Sequence, residues 1–130
     1  MTNRMNRRGM LAVMGALALV VLAAAAPGDA GVDTNRTTQL TFSKPFSLPG
    51  VTLAAGTYIF ERASESAIEV VRVSSGDRRF VYYMGFTQLV EKPRGVTSPI
   101  TFGEAPAGSA IPVREWYPAG TSTGHRFVYR

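Results

Sequence analysis

The chain has 130 residues, with 14 Lys and Arg against 9 Asp and Glu, one His and no Cys. Without cysteine there is no disulfide, no thiol nucleophile and no lipoprotein anchor, and a single histidine among scattered carboxylates makes no zinc or copper site. The formal charge is +5, and beyond the first thirty residues Lys and Arg are scattered among Glu and Asp without a run of one sign, which argues against a nucleic-acid-binding face.

Residues 1–30 read as an export signal. Arg4, Arg7 and Arg8 form a basic leader, and Met10 to Ala26 is an apolar run. Small residues then offer cleavage after Ala25 or after Ala30. The alternative is an uncleaved N-terminal anchor, against which the alanine-rich end and the Pro27-Gly28 break both count. Arg7-Arg8-Gly9-Met10-Leu11 is similar to a twin-arginine motif, which would send the domain out already folded. Three arginines and Asp29 leave with the signal, so the charge falls from +5 to +3. No later apolar stretch approaches the ~20 residues that span a bilayer. The expected mature protein is therefore periplasmic or extracellular, with no membrane span.

Residues 31–37 form a flexible lead-in, in which Asn35-Arg36-Thr37 fits a glycosylation triplet. Residues 38–130 are long enough for one domain with one core. Short β runs follow, cut by turn residues. Gln39 to Phe42 is the first, and Phe46 to Val51, with Pro45 and Pro49, belongs at an edge. Ala54-Ala55-Gly56 turns the chain into Thr57 to Arg62. Glu61, Glu65 and Glu69 recur at helical spacing, but the β-branched run Val70-Val71 and Val73 favours strand, turn and strand. Ile68 to Val73 and Arg79 to Leu89 read as a hairpin about Ser74-Ser75-Gly76-Asp77. Phe80, Tyr82, Met84 and Phe86 share one face of the returning strand, with Val81, Tyr83 and Thr87 opposite. Large side chains on both faces predict a central strand covered at least in part on both sides. Lys92 to Gly95 is a loop, and Ile100 to Phe102 and Ile111 to Tyr117 are strands. Pro118 to Gly124 is a polar loop before the last strand, His125 to Tyr129. The fold class is all-β: a single antiparallel β-sandwich or small barrel of about seven or eight short strands.

The residues show no catalytic set, and the chain reads as no enzyme. No serine sits in a Gly-x-Ser-x-Gly elbow. His125 reads as a surface residue at the start of the last strand. Glu104 and Glu115 flank one turn, and a carboxylate hydrolase of envelope polysaccharide would need them to share a cleft. Gly120-Thr121-Ser122-Thr123-Gly124 lacks the lysine of a phosphate cradle. No cofactor and no metal is implied.

Trp116 and Tyr117 are the candidate ligand-binding residues. Neighbours in a strand face opposite ways, so both rings cannot enter one core. An exposed ring beside the polar loop would stack on a sugar or anchor a protein. In the alternative, Trp116 plugs the open end of the domain and Tyr117 covers an edge.

Phe46-Ser47-Leu48-Pro49-Gly50 followed by Leu53-Ala54-Ala55-Gly56-Thr57-Tyr58-Ile59-Phe60 resembles the "LPAGTY" segment of a group of small exported bacterial all-β proteins of unknown function. Ile100-Thr101-Phe102, Pro106-Ala107-Gly108-Ser109, Trp116-Tyr117-Pro118 with Gly120, and Phe127-Val128-Tyr129 are similar to that group's later segments, in the same order. Ala54 stands where the group has proline. The resemblance implies a compact exported β-domain and brings no activity or cofactor. The expected function is a non-enzymatic binding or structural module at the cell envelope, with an envelope protein or glycan as partner and self-association open. A carbohydrate-binding module using Trp116 and Tyr117, or a carboxylate hydrolase, is the alternative.

Overall fold

The computed structural model describes residues 21–24 and 36–130. The rest of the expected export signal, both cleavage points and Asn35 lie outside the described residues. The described residues are all-β and contain no helix. None of them therefore belongs to a helix long and apolar enough to cross a membrane, which says nothing of crossing by strands.

The strands are β1 (Val21–Ala24), β2 (Thr38–Phe42), β3 (Phe46–Leu48), β4 (Val51–Leu53), β5 (Gly56–Arg62), β6 (Val70–Ser75), β7 (Val81–Glu91), β8 (Ile100–Phe102), β9 (Ile111–Trp116) and β10 (Thr123–Phe127). They form one open ten-stranded sheet in the order β1-β2-β5-β6-β7-β10-β9-β3-β4, with β8 paired to β9 off that path. All the described pairings are antiparallel except β3 with β9. β1 falls inside the segment read as the export signal and pairs with β2 from Val21↔Phe42 to Ala24↔Gln39.

Several boundaries differ from those expected, for local reasons. Phe46 to Val51 is a tight hairpin, β3 and β4, in which Leu48 pairs with Val51. Pro49 fixes its own φ and Gly50 takes φ +80°, the backbone of a type II turn. Only β4 lies at the end of the path. The chain from Ala63 to Glu69 is a connection closed by Ala63 N–H donating to the Val70 carbonyl at 2.8 Å, so Ile68 precedes the strand. After β6, Asp77 accepts from Ser75 Oγ at 2.7 Å and Arg79 N–H at 3.0 Å, and Arg78 takes φ +60°. These bonds hold the turn open to Phe80. The last strand starts at Thr123, which leaves Tyr129 beyond it, its hydroxyl reaching the carbonyls of Ser47 and Val113.

Only Ser43 to Pro45 separate β2 from β3, which lie near opposite ends of the path. That short link brings the ends together, and the Phe42 and Phe46 rings stack with centroids 3.7 Å apart. One face of the sheet thus surrounds a single core. Phe60 of β5 meets Trp116 of β9 at 6.1 Å and Phe127 of β10 at 6.3 Å. Leu40, Leu48, Val71, Val73 and Val113 fill the space between. Each large side chain so buried is worth about 1.5–3 kcal/mol, which is how a cysteine-free domain of this size stays folded.

Candidate binding surface

On the other side of the sheet, cross-strand pairing lines the side chains up in rows. Glu61, Arg72 and Met84 form one row, Val70 and Phe86 the next, and Gln88, Arg126, Glu115 and Thr101 a third. The outer rows are charged and satisfied. Glu61 is buried and accepts from Arg72 Nη2 at 3.0 Å, Arg78 Nη2 at 3.4 Å and Thr37 Oγ1 at 3.2 Å. Glu115 accepts from Arg126 Nε and Nη2 at 3.1 and 2.8 Å, Tyr117 Oη at 3.0 Å and Thr101 Oγ1 at 3.1 Å.

Between those ion pairs the long strand β7 carries a bare apolar strip. Phe86 is 74 % exposed and Met84 53 %. Against the expectation that β7 is covered at least in part on both faces, its outer face is largely bare at these two residues. Its inner face is the covered one, where Tyr83 meets Phe127 at 5.7 Å and Thr87 is buried. The expected face also breaks in the middle. Val73 pairs with Tyr83 but Ser74 pairs with Val81, so Tyr82 is an extra residue in β7. Such a bulge re-aims its side chain, and the Tyr82 ring packs on Tyr58 with centroids 5.7 Å apart. Met84 and Phe86 do share one face, as alternation predicts; what sequence reasoning missed is that this face is left uncovered. The available signal was Arg72, a charge set between the inward-facing Val71 and Val73, which marks the outer face of the sheet as open.

The candidate ligand residues Trp116 and Tyr117 are placed otherwise than a stacking platform needs. Trp116 is 0 % exposed and Tyr117 2 %. The indole enters the core and stacks on His125 with centroids 5.0 Å apart. Tyr117 turns to the opposite side and lies over Gly124, where a Cβ would come within 2.3 Å of its ring. Absence of a side chain at Gly124 is thus what buries the tyrosine. Neither ring offers a face to a sugar.

The polar candidates fare similarly. His125 is buried rather than on the surface, because β10 begins before it and its side chain points inward. Thr87 Oγ1 donates to the Glu69 carbonyl at 2.9 Å and lies 3.1 Å from His125 Nδ1. With its one proton so used, the hydroxyl accepts from Nδ1–H, which assigns the tautomer. Burial and the nearby Arg62 charge push the imidazole down to about 4, so it is neutral at pH 7. Burial raises Glu115, but the bonds from Arg126, Tyr117 and Thr101 outweigh it and hold the carboxyl below its usual range. A carboxylate so engaged is a poor proton donor. Glu104 lines a cleft of about 440 Å³ with Arg114, Arg126, Val113, Phe127 and Tyr129, and Glu115 is not among the lining residues. Among the described residues no three His, Asp or Glu side chains gather as metal ligands.

No family model matches the chain, and neither the curated proteins nor the solved structures contain a match.

Proposed function

We propose that the chain is an exported, non-enzymatic β-domain that binds a protein partner at the cell envelope, in the periplasm or outside the cell. The observation that carries this reading is the strip of Met84 and Phe86, uncovered on a central strand and flanked by two satisfied ion-pair rows. An apolar centre with a polar rim is the usual anatomy of a protein-binding patch, and exposed aromatics are the usual anchors. The leader of residues 1–30 and the resemblance to small exported β-domains support the location. The lowered imidazole of His125, locked between Thr87 and Trp116, and the fourfold-bonded Glu115 are groups held for structure, which supports a non-enzymatic role.

The test is retention on envelope extract of the exported protein and of a Met84→Ser, Phe86→Ser double variant. The wild type is expected to be held with an envelope protein and the variant to be released, with the two melting alike. Recovery of the wild type as a clean monomer, or equal retention of the variant, sinks the reading. N-terminal sequencing of the released protein checks the location separately: it should start at residue 26 or 31.

A further inference from the structure

β2 has two sides, and only one of them is paired to the body of the domain. β5 takes one side along the whole strand, from Thr38↔Phe60 to Phe42↔Gly56. β1 takes the other, and it lies upstream of both candidate cleavage points. If export removes residues 1–25 or 1–30, β1 goes with them. The backbone donors and acceptors along that side of β2 are then left without strand partners.

Natural edge strands are guarded by charge, proline or a bulge. β2 has none of these: Thr38-Gln39-Leu40-Thr41-Phe42 is uncharged and proline-free, and its register with both neighbours is regular. The strand is also suited to pair with itself. A two-fold axis through Leu40 sets Leu40 against Leu40 of the second copy, Gln39 against Thr41 of the second copy, and Thr38 against Phe42 of the second copy. Such an axis, perpendicular to the sheet, keeps like faces together. Leu40 and Phe42, which face the core, therefore stay on one side, and Gln39 meets a threonine hydroxyl on the other. Uncharged partners face each other at every position of this ladder.

We propose that loss of the signal opens the β2 edge and that two mature copies join there, β2 against β2 and antiparallel, into one continuous sheet. The proposal rests on the export reading, and on the isologous pairing that a two-fold requires. While β1 is present it occupies the same edge in the same orientation, so the precursor is kept from pairing by its own N-terminal segment.

The experiment measures mass by light scattering for the exported protein up to about 1 mM, since an interface of one short strand associates weakly. A chain beginning at Val21 serves as the covered-edge control. The released protein is expected to rise with concentration toward twice the monomer mass, and the chain beginning at Val21 to stay monomeric. Two double variants then test the register. Gln39→Lys with Thr41→Lys sets like charges across the axis and should abolish pairing. Gln39→Glu with Thr41→Lys sets opposite charges across it and should restore pairing. Both lose the same Thr41–Thr57 hydroxyl bond of 2.9 Å, so any cost to folding cancels between them.

A released protein that stays monomeric at every concentration overturns the proposal. So does a dimer that forms equally with β1 present, or one that treats the two charge variants alike. Finding the β2 edge occupied by another envelope protein would overturn it in favour of that partner. The N-terminal sequence keeps the outcomes apart, because a start at 26 or 31 upholds export whatever the mass.

Discussion

The end of β9 and the middle of β7 carry the same kind of cargo: large apolar side chains close together, divided between the two faces of one sheet. At Trp116 and Tyr117 both faces are closed, and at Tyr83 to Phe86 one face is open. Part of the difference comes from place in the sheet: Trp116 is paired on both sides, with His125 and Ile100, whereas the β10 pairing of β7 ends at Thr87, short of Met84 and Phe86. The rest comes from what the adjoining strand offers. Beside Tyr117, Gly124 leaves a slot into which the ring fits. Beside Met84 and Phe86 stand Arg72 and Val70, one tied to Glu61 and the other too small to cover a phenyl ring. A ring is buried where its neighbour makes room, and bare where its neighbour is engaged elsewhere.

The closed region should be the costly one to disturb. Trp116→Ala is expected to remove about 3–5 kcal/mol of stability, as truncation of a fully buried aromatic does. Trp116→Phe should do much less harm, because the buried indole nitrogen has no hydrogen-bond partner among the described residues. Denaturant unfolding followed by circular dichroism checks both, since the chain has only one tryptophan. Equal losses would mean that the ring fills less of the core than its contacts indicate.

His125, stacked on the same indole, ties this region to pH. Its imidazole sits at about 4 when folded against 6.5 when free. Above pH 6.5 both states are neutral and the full stability is present. Between 6.5 and 4 the unfolded chain takes up a proton that the folded one refuses, so stability falls as pH falls, by roughly 3 kcal/mol across the window. His125→Gln keeps a donor for Thr87 and should flatten that window. The carboxyls of Glu115 and Asp77, both held low by hydrogen bonds, add a loss that sets in only around their free values of 4.5 and 3.8, at the bottom of the window, and it is common to the wild type and the variant. Melting curves at pH 7, 5.5 and 4.5 decide the matter, and an unchanged slope in the variant would assign the effect elsewhere.

Gly124→Ala attacks the slot itself. Its Cβ would meet Tyr117 Cδ1 at 2.3 Å and the Trp116 carbonyl at 3.2 Å, and the ring must leave its place over β10. A loss of about 1–3 kcal/mol is expected, the usual range for overpacking. Glu115 would also lose the Tyr117 hydroxyl. Full stability in this variant would show that Tyr117 has a second resting place, and the contrast between the two regions would weaken.

How far these features were legible in the sequence follows the same physics. The all-β class, the hairpin about Gly76-Asp77 and the strand Ile100 to Phe102 came from local signals, alternation and turn residues, which act over a few positions. The bulge at Tyr82 did not, because it is set by pairing with β6. Nor did the burial of Tyr117, which depends on a glycine on another strand. Period-2 alternation predicts that Trp116 and Tyr117 face opposite ways, and they do. It cannot say which face is covered, because cover is supplied across strands. His125 was misplaced for a simpler reason: β10 begins two residues earlier than the pattern shows, which moves the histidine from a strand entrance to the interior.

The open region gives the smallest stability effect and the clearest opposite signature. Phe86→Ser removes a side chain that the folded protein leaves mostly in water, so its effect should lie within about 0.5 kcal/mol of zero. Thermal melting compared with Trp116→Ala measures the two regions on one scale. If the serine variant is as harmful as the tryptophan variant, Phe86 is covered in the free domain and the strip is not a surface at all. If it melts like the wild type yet no longer stays with envelope protein, then the ring serves something outside this fold. The two regions would then differ in purpose as well as in cover: the same apolar chemistry closes the domain at one place and is left available at the other.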